Sequence, residues 1–365
     1  MRNIACMLLL ACGVLWILSL STANACTGIK VQSKDGATMF ARTLEFNTPF
    51  KSNIMFVPKG QTWTSQAPNN QKGMTWKNQY AFLGPNGFDE RMFFGGINEK
   101  GLYIGGFWFP QHAEYPTPTA NDTTKIVEPV LVTALILGTC GTLEDVQKKI
   151  DEVQIAGVKY EKLGMIPPMH WIVIDSKGNA IVIEPLNGKI TITQNPVGVI
   201  TNSPQFTWHL QNLSNYMNVT ADNCTRQKIN DFTATPIGAG SGMLGLPGDF
   251  TPPSRFVRAA LYSNAATPVQ TADEALNLAF MLISNISIAK GLVRTNEQNG
   301  TQSTDYTQWT AVYDLQRRRC YFKTYDNQEI RVVHLDNLPK DGKKTLSIPM
   351  WDTKPEYKDM TEQAK

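Results

Sequence analysis

Chemistry in this sequence centres on Cys26, which directly follows the residues ANA at positions 23–25. A positive Arg2, an apolar stretch over residues 4–20 and an A-x-A ending are together typical of a secretory signal peptide. Cleavage after Ala25 would make Cys26 the first residue of the mature chain. Its thiol, with a pKa of about 8.5, would then lie beside an α-amino group with a pKa of about 7.7 to 8.0. Because the proton can pass between these groups near neutral pH, Cys26 predicts nucleophilic cleavage of an amide bond.

Two other interpretations of the first residues stay open. The apolar stretch approaches the roughly 20 residues that span a bilayer, so one alternative is an uncleaved membrane anchor. Lipoprotein processing is the other, although it prefers a larger apolar residue at the position of Ala23. An acylated amine would no longer act as a base. We predict cleavage, a secreted or periplasmic protein, and no stable membrane insertion afterwards.

The other cysteines and the histidines give no competing site. Cys140, Cys224 and Cys320 remain with Cys26 after the predicted cleavage, and the sequence does not decide whether any of them forms a disulfide. Their wide spacing matches no metal-binding pattern, so we expect neither a metal nor a cofactor. The histidines lie in no recognisable pattern with a cysteine, and His209 stays open as an alternative base.

Charge and composition exclude one class of partner. The net charge is +3, charged residues make up 18% of the chain, and no long run of like charge occurs. Such a chain has no basic field suited to nucleic acid. We therefore expect a small-molecule amide as the substrate.

The elements that must position Cys26 are mostly strands. No repeat or low-complexity linker divides residues 26–365, so we predict a single α+β domain after a signal peptide of residues 1–25. Strands are predicted over residues 27–32, 38–42, 54–57, 102–107, 171–175, 180–184 and 309–315. Helices are predicted over residues 127–137, over 143–153 after a Thr142 cap, and over 272–286 after a capping box of Thr271 and Glu274.

A series of motifs resembles the choloylglycine hydrolase family, which contains bile salt hydrolases and penicillin V acylases. In chain order they are CTG (26–28), DG (35–36), ARTLE (41–45), INEKGL (97–102), GFWFP (106–110), TNSPQFTWH (201–209), LGLPGDFTP (244–252) and SRF (254–256). The resemblance covers nearly all of the predicted mature chain. It implies a four-layer αββα sandwich of the N-terminal-nucleophile hydrolase type and the hydrolysis of linear amide C–N bonds.

The resemblance also implies roles for individual residues. Cys26 matches the nucleophile, with its own amine as the base. Asn202 matches the asparagine of the oxyanion hole, which would act with a backbone N–H near Phe107. Arg42 and Arg255 match two arginines of the active site, whose charge would favour a thiolate and a neutral amine.

Two further positions bear on rate and substrate. Glu45 stands where the family usually has an aspartate that holds the amine, so its longer side chain must adjust its distance. Trp108 stands where bile salt hydrolases tend to have asparagine and penicillin V acylases often have an aromatic residue. An indole suits a phenoxyacetyl or fatty acyl group, unless Trp108 simply packs between the sheets. We therefore expect a penicillin V or N-acyl homoserine lactone acylase, with bile salt hydrolase as the alternative and an inactive secreted binding protein as a remote one.

The long polar segment of residues 216–242 corresponds to one that reaches neighbouring subunits in family members. It predicts a possible homotetramer, or else a mobile surface loop. Glycosylation sequons occur at Asn121, Asn212, Asn218, Asn223, Asn285 and Asn299, and the sequence does not say whether they are used.

Overall fold

The computed structural model describes residues 25–118, 122–296, 300–351 and 354–363. Apart from Ala25, the predicted signal peptide lies outside the described residues, and so do Asn121 and Asn299. No α-helix within the described ranges is long and apolar enough to cross a membrane. Cys140, Cys224 and Cys320 are free thiols, as is Cys26.

Short helices and many strands make up the described chain. The helices are α1 Val132–Thr139, α2 Leu143–Glu152, α3 Phe206–Leu213, α4 Pro252–Ala265 and α5 Ala272–Ser284. The strands of the first half are β1 Gly28–Gln32, β2 Thr38–Phe46, β3 Asn53–Val57, β4 Thr62–Ala67, β5 Gln71–Lys77, β6 Phe82–Gly87, β7 Met92–Phe93, β8 Gly95–Asn98, β9 Tyr103–Trp108, β10 Ile126–Val127 and β11 Gln154–Ile155. Those of the second half are β12 Met169–Ile174, β13 Ala180–Leu186, β14 Lys189–Gln194, β15 Val199–Ile200, β16 Gln227–Ile229, β17 Phe232–Ala234, β18 Val293–Asn296, β19 Gln302–Asp314, β20 Arg319–Thr324, β21 Arg331–His334 and β22 Leu346–Pro349.

Two large sheets organise these strands. The first has the order β15-β1-β2-β19-β20-β21, with β18 paired to β19. The second has the order β14-β13-β12-β9-β8-β6-β3-β22, with β7 paired to β6. Neighbouring strands in both sheets run antiparallel. Their inner faces pack through aromatic side chains, as in the pairs of Tyr103 with Phe40 and Tyr313, whose ring centroids lie 4.6 and 4.7 Å apart.

Helices cover the outer face of each sheet. Helices α4 and α5 pack on β1 and its neighbours in the first sheet, while α1 packs on β8 and β9 in the second. The resulting layers are helix, sheet, sheet and helix, so the predicted four-layer αββα sandwich is confirmed.

The local predictions succeed where the pattern is regular. Helix α2 begins after Thr142, and α5 begins after Thr271 with the expected capping box to Glu274. The helix predicted over 127–137 is partly wrong, since Ile126–Val127 form strand β10 and α1 starts only at Val132. The cause is Pro129, which disfavours a helical conformation at the residue before it. Helices α3 and α4 were not predicted.

The segment of residues 216–242 contains a small hairpin of β16 and β17. Four large apolar side chains of the segment are exposed, Met217, Ile229, Phe232 and Ile237, the last of them fully. The structure thus gives this segment ordered strands that its weak sequence pattern did not indicate.

Candidate active site

Cys26 lies just before β1, the second strand from the β15 edge of the first sheet, and its side chain is buried. In the chain as described, Ala25 is still bonded to its nitrogen. That nitrogen donates a hydrogen bond to Oδ1 of Asn202 at 2.8 Å, and the Ala25 carbonyl accepts one from the Glu45 N–H at 3.0 Å. Removal of Ala25 would turn this amide into the α-amino group of Cys26.

Close packing explains the glycine of the CTG motif. A Cβ atom on Gly28 would lie 2.3 Å from the ring of Phe40 and 3.0 Å from the side chain of Ile200. Only a residue without a side chain lets β1 approach both neighbours at this point. Gly28 therefore fixes the path of the chain two residues after Cys26.

Arg255 joins the parts of the site that are most distant in sequence. Its Nη1 donates to the Cys26 carbonyl at 2.7 Å and to the Thr27 hydroxyl at 2.6 Å, while its Nη2 donates to Oδ1 of Asn202 at 2.7 Å. Nε donates to the Phe250 carbonyl at 2.8 Å, just before α4. Burial lowers the pKa of Arg255 to about 10, so the guanidinium stays charged at neutral pH.

Arg42 crosses the space between the two sheets. It projects from β2, and its Nη1 donates to the carbonyls of Phe94 and Gly106 in the second sheet. Its guanidinium also lies 4.6 Å from the ring centroid of Phe107 and 5.2 Å from that of Trp309. Buried carbonyls and ring faces thus hold this cation near Cys26.

Opposing effects act on the thiol of Cys26. Burial raises its pKa, whereas the positive charge of Arg42 lowers it, and that of Arg255 lowers it as well. The two arginines therefore offset part of the desolvation of a thiolate at this position.

Both the oxygen and the nitrogen of the Asn202 side chain form hydrogen bonds. Its Oδ1 accepts from Cys26 and Arg255, and its Nδ2 donates to the Trp108 carbonyl at 2.7 Å. Gly106, two residues before Trp108, directs its N–H to Phe94 and its carbonyl to Arg42. Because alternate residues of an antiparallel strand direct their backbone groups to the same side, the Trp108 N–H also faces this side of β9. The expected donor near Phe107 is therefore the N–H of Trp108.

Glu45 lies near Cys26, with its carboxylate held by two threonine hydroxyls. Thr43 and Glu45 lie on one face of β2, and the carboxylate accepts from the hydroxyls of Thr43 at 2.9 Å and Thr307 at 2.6 Å. The partner of the Cys26 nitrogen is Asn202, whereas Glu45 contributes its backbone N–H to the preceding carbonyl. Burial raises the pKa of Glu45 to about 7.

Two buried histidines support the segment that carries Asn202. Nε2 of His170 lies 3.1 Å from the Thr201 carbonyl oxygen, and its Nδ1 lies 3.1 Å from Glu184. His209, from α3, places Nε2 2.9 Å from the carbonyl oxygen of Asn202. Burial lowers the pKa of His209 to about 4, so it is neutral near pH 7. His209 thus contacts the backbone of Asn202, and the structure gives it no hydrogen bond to Cys26.

Cys26 lines a narrow apolar pocket with a cavity volume of about 20 Å³. Its walls include the aromatic side chains Phe46, Phe50, Phe93, Phe94 and Trp108. Beyond Cys26, the polar groups on the described side chains of this wall are the Thr133 hydroxyl and the Trp108 indole N–H. Trp108 is 7% exposed and packs edge-on against Phe46, with centroids 5.5 Å apart. It is therefore both a packed residue and part of the pocket wall.

A second, larger pocket of about 620 Å³ lies on the nitrogen side of Cys26. It is lined by Ala25 and Asn202, and its charged lining residues among those described are Asp249, Arg255 and Arg294. Cys26 therefore lies between a pocket with aromatic walls and a larger one that also contains charged side chains. None of the described residues forms a group of three or more histidine, cysteine or acidic side chains suited to a metal ion.

Comparison with known proteins places this geometry in a family. A family model described as linear amide C–N hydrolases, choloylglycine hydrolase family, matches residues 26–347. The chain belongs to the choloylglycine hydrolase family. As a member of that family, it is a hydrolase that acts on carbon–nitrogen bonds in linear amides, so the predicted enzyme class is confirmed.

Individual relatives agree with this assignment. The bile salt hydrolase/transferase of Clostridium perfringens is 32% identical over 336 residues, which cover 88% of this chain and 98% of the relative. The bile salt hydrolase/transferase of Lactiplantibacillus plantarum is 28% identical and covers 89% of this chain and 97% of its own length.

Solved structures share the fold. A mutant conjugated bile acid hydrolase from Clostridium perfringens has a TM-score of 0.82 at 27% identity and covers 92% of this chain and 100% of its own. Penicillin V acylase from Agrobacterium tumefaciens has a TM-score of 0.72 at 20% identity, with 90% and 94% coverage, and supports the fold alone.

Proposed function

We propose that this family member is a cysteine acylase that removes aromatic or alkyl acyl groups from amines, with penicillin V and N-acyl homoserine lactones as substrates. The observation that carries the proposal is the apolar pocket that Cys26 lines. The cavity is narrow, so a phenoxyacetyl or fatty acyl group would enter as the side chains of Phe46, Phe50 and Trp108 move apart, and it would bury its apolar surface against them. Its amide carbonyl would then lie at the thiol.

The apolar pocket wall also disfavours acyl groups that carry hydroxyls. A hydroxylated steroid acid would bring several hydroxyl groups against a wall whose polar side-chain groups, besides the nucleophile, are the Thr133 hydroxyl and the Trp108 indole N–H. A buried hydroxyl without a partner costs roughly 1 to 3 kcal/mol. This cost favours plain aromatic and alkyl groups over a steroid nucleus.

The reaction proceeds through an acyl-enzyme. After Ala25 is removed, the Cys26 amine takes the thiol proton, and the sulfur attacks the amide carbon. The side-chain N–H of Asn202 and the backbone N–H of Trp108 donate to the developing oxyanion. The amine then returns its proton to the leaving nitrogen, the C–N bond breaks, and a thioester forms. Water, deprotonated by the same amine, hydrolyses the thioester and releases the acid.

The surrounding charges set the protonation of the nucleophile. Arg42 and Arg255 favour a thiolate over a thiol and a neutral over a charged amine. Glu45, held by Thr43 and Thr307, faces the same residues with the opposite charge when ionised. We propose that it limits how far the arginines lower the pKa of the amine.

Bile salt hydrolysis is the second candidate. It is supported by the names of the relatives, which include bile salt hydrolase/transferases at 32% and 28% identity over nearly their whole length. Residues in the pocket wall decide between the two candidates, because both need the same nucleophile.

Export and self-association are part of the proposal. The placement of Cys26 directly after Ala25 supports cleavage of a signal peptide and a secreted or periplasmic enzyme, and the mass of the mature chain tests it. The exposed Ile229 and Phe232 support a homotetramer formed through the segment of residues 216–242. Sizing of a double variant with serine at both positions tests that assembly.

A hydrolysis panel tests the substrate assignment. The processed enzyme and its Cys26→Ala variant are compared on penicillin V, acyl homoserine lactones with short and long chains, and glycine- and taurine-conjugated bile salts. We expect kcat/KM to be at least roughly tenfold higher for penicillin V or a long-chain lactone than for either bile salt, a difference of about 1.4 kcal/mol. The reverse order would replace this proposal with bile salt hydrolysis.

A further inference from the structure

The ring of His170 contacts both neighbours of Trp108, whose backbone N–H is one of the two proposed oxyanion donors. His170 lies in β12, opposite Phe107 of β9, and its side chain is buried. The ring stacks face to face on Phe109, with centroids 4.3 Å apart, and meets the ring of Phe107 edge-on at 6.3 Å. The part of the chain that carries the Trp108 N–H is therefore packed against this one ring on both sides.

The same ring also contacts the segment that carries the other donor, Asn202. Nε2 of His170 lies 3.1 Å from the carbonyl oxygen of Thr201, the residue before Asn202. Because a carbonyl oxygen can only accept a hydrogen bond, Nε2 carries the proton of this contact. His170 thus holds a residue next to each donor, although Trp108 and Asn202 are 94 residues apart in the chain.

Glu184, in β13, fixes the orientation of that ring. Its Oε1 lies 3.1 Å from Nδ1 of His170, and both carboxylate oxygens accept from the Phe206 N–H, at 3.0 and 3.2 Å. Phe206 begins α3, and His209, one turn further along this helix, contacts the carbonyl oxygen of Asn202. Glu184 therefore holds the Asn202 segment in two ways, through His170 and through the start of α3.

Contact with the substrate does not explain these two residues. Neither His170 nor Glu184 is among the described residues that line the apolar pocket or the larger pocket beside Cys26. An effect on the reaction must therefore pass through the backbone and side chain that they hold. Oxyanion donors stabilise the transition state only when they already lie at hydrogen-bond distance from the position where the charge develops.

We propose that Glu184 and His170 are positioning residues for the hydrolysis. Glu184 orients the His170 ring, and the ring sets the position of the Trp108 N–H relative to the Asn202 side chain. The inference rests on the proposed oxyanion hole. It gives this buried pair an effect on the rate of the reaction and none on the binding of the substrate.

The test separates rate from binding. Processed wild type, Glu184→Ala, Glu184→Gln, His170→Phe and a control, His334→Phe in the edge strand β21, are assayed on penicillin V and on a glycine-conjugated bile salt. Glu184→Ala is expected to lower kcat by roughly tenfold, with KM changed less than about twofold. Glu184→Gln should recover most of this loss, because its amide can hydrogen-bond both Nδ1 of His170 and the Phe206 N–H. His334→Phe should match wild type.

A double-mutant cycle with Asn202 shows whether the effect passes through the oxyanion hole. In the Asn202→Ala background, Glu184→Ala should lower kcat by a factor at least about threefold smaller than in wild type, because one of the donors that it positions is already gone. Thermal melting is measured for each variant, and the assays are run well below the melting temperature. His170→Phe keeps a ring on Phe109 but loses both hydrogen bonds, and it gives the same cycle if Glu184→Ala does not fold.

Two results would overturn the proposal. One is an equal loss of kcat from Glu184→Ala in wild type and in Asn202→Ala, and the other is a loss that occurs in KM alone. Full activity in both Glu184→Ala and His170→Phe would overturn it as well.

The outcome is separate from the acyl preference proposed above. The oxyanion forms on the amide carbonyl of either substrate, so each variant should lose the same factor on penicillin V and on the bile salt. A wild type that cleaves the bile salt alone would contradict the acyl preference, whereas the cycle on that substrate still decides the role of Glu184 and His170. Wild-type activity in Asn202→Ala would overturn the oxyanion hole and this inference with it.

Discussion

Nε2 of His209 lies 2.9 Å from the backbone carbonyl oxygen of Asn202. The histidine is neutral at pH 7, because burial lowers its pKa to about 4, and its proton is therefore on the nitrogen that faces this carbonyl. The ring is itself fixed by stacking on Phe256, with centroids 4.7 Å apart. His209 thus holds the backbone of the residue whose side chain contacts Cys26.

This contact predicts a positioning effect. His209→Phe, which keeps the ring and loses the donor, should lower kcat by roughly tenfold, since one lost hydrogen bond corresponds to about 1 kcal/mol. KM should change less than about threefold, because His209 lines neither pocket. His209→Gln, which retains a donor, should keep more of the activity than His209→Phe. Steady-state kinetics check this, and equal kcat in wild type and His209→Phe would remove the positioning role.

Replacement of Cys26 by serine tests the nucleophile. Cys26→Ser should reduce turnover by roughly 10³-fold or more with little change in melting temperature, because an alcohol ionises far less readily than a thiol of similar size. Cys140→Ser, Cys224→Ser and Cys320→Ser serve as matched controls and should keep most of the activity. Burst-phase thioester formation, followed by mass spectrometry, should occur in all three controls and be absent from Cys26→Ser.

The amine must be free as well as near the thiol. A chain that retains Ala25 is expected to fold, since Ala25 is buried and its carbonyl is bonded to the Glu45 N–H, but it should not turn over substrate. An amide nitrogen cannot accept the thiol proton. The measurement compares this chain with the processed form, both verified by mass. Comparable activity in the two would show that another group acts as the base.

Stability should depend on pH through Glu45. Its pKa is about 7 in the folded protein against a usual 4.5, so the folded state binds the proton more tightly. The stability that this gives is fully present below pH 4.5 and is lost as the pH rises through 7. The comparison is between wild type and Glu45→Gln, both with Ala25 attached. The free energy of unfolding of wild type minus that of Glu45→Gln should fall by on the order of 3 kcal/mol between pH 4.5 and 7.

His209 contributes a slope of the opposite sign. Its pKa is lowered from 6.5 to about 4, so its contribution to stability is lost as the pH falls through that range. Wild type and Glu45→Gln both contain His209, so its contribution cancels in the difference between their free energies of unfolding. A flat difference in urea unfolding from pH 4 to 8 would mean that the pKa of Glu45 is the same in the folded and unfolded states.

Trp108 tests the acyl pocket. Trp108→Ala should raise KM for penicillin V or a long-chain acyl homoserine lactone by a factor that reflects roughly 1 to 3 kcal/mol of lost packing, with a smaller effect on kcat. Trp108→Asn should shift the ratio of kcat/KM towards bile salts. The ratio for the two substrate classes is measured in wild type and both variants. A constant ratio combined with lower stability in both would assign Trp108 to packing alone.

The sequence predicted the regular elements and the main site residues for different reasons. Capped, periodic helices such as α2 and α5 follow from local pattern. Local pattern does not bring Cys26 to Asn202 and Arg255, which are 176 and 229 residues away in the chain. Their proximity was indicated by the family motifs.

Other features had no local signal. Helix α3 starts at Phe206, whose N–H donates to Glu184, so the partner of its first turn lies 22 residues away. The hydroxyls that hold Glu45 belong to Thr43 and to the distant Thr307, and threonine is common in strands for other reasons. Whether the Glu45 carboxylate meets these hydroxyls depends on tertiary packing. The sequence shows only that its side chain is one methylene longer than that of aspartate.

Each sheet supplies part of the site. Cys26 and Asn202 belong to the first sheet and its connections, whereas Trp108 belongs to the second, and Arg42 ties the two together. Neither sheet alone therefore contains a complete site, and we expect no activity from one sheet without the other. During refolding, the circular dichroism signal of the strands should return first. Turnover should return later, when the two sheets have packed together, so enzyme activity reports on the last step of folding.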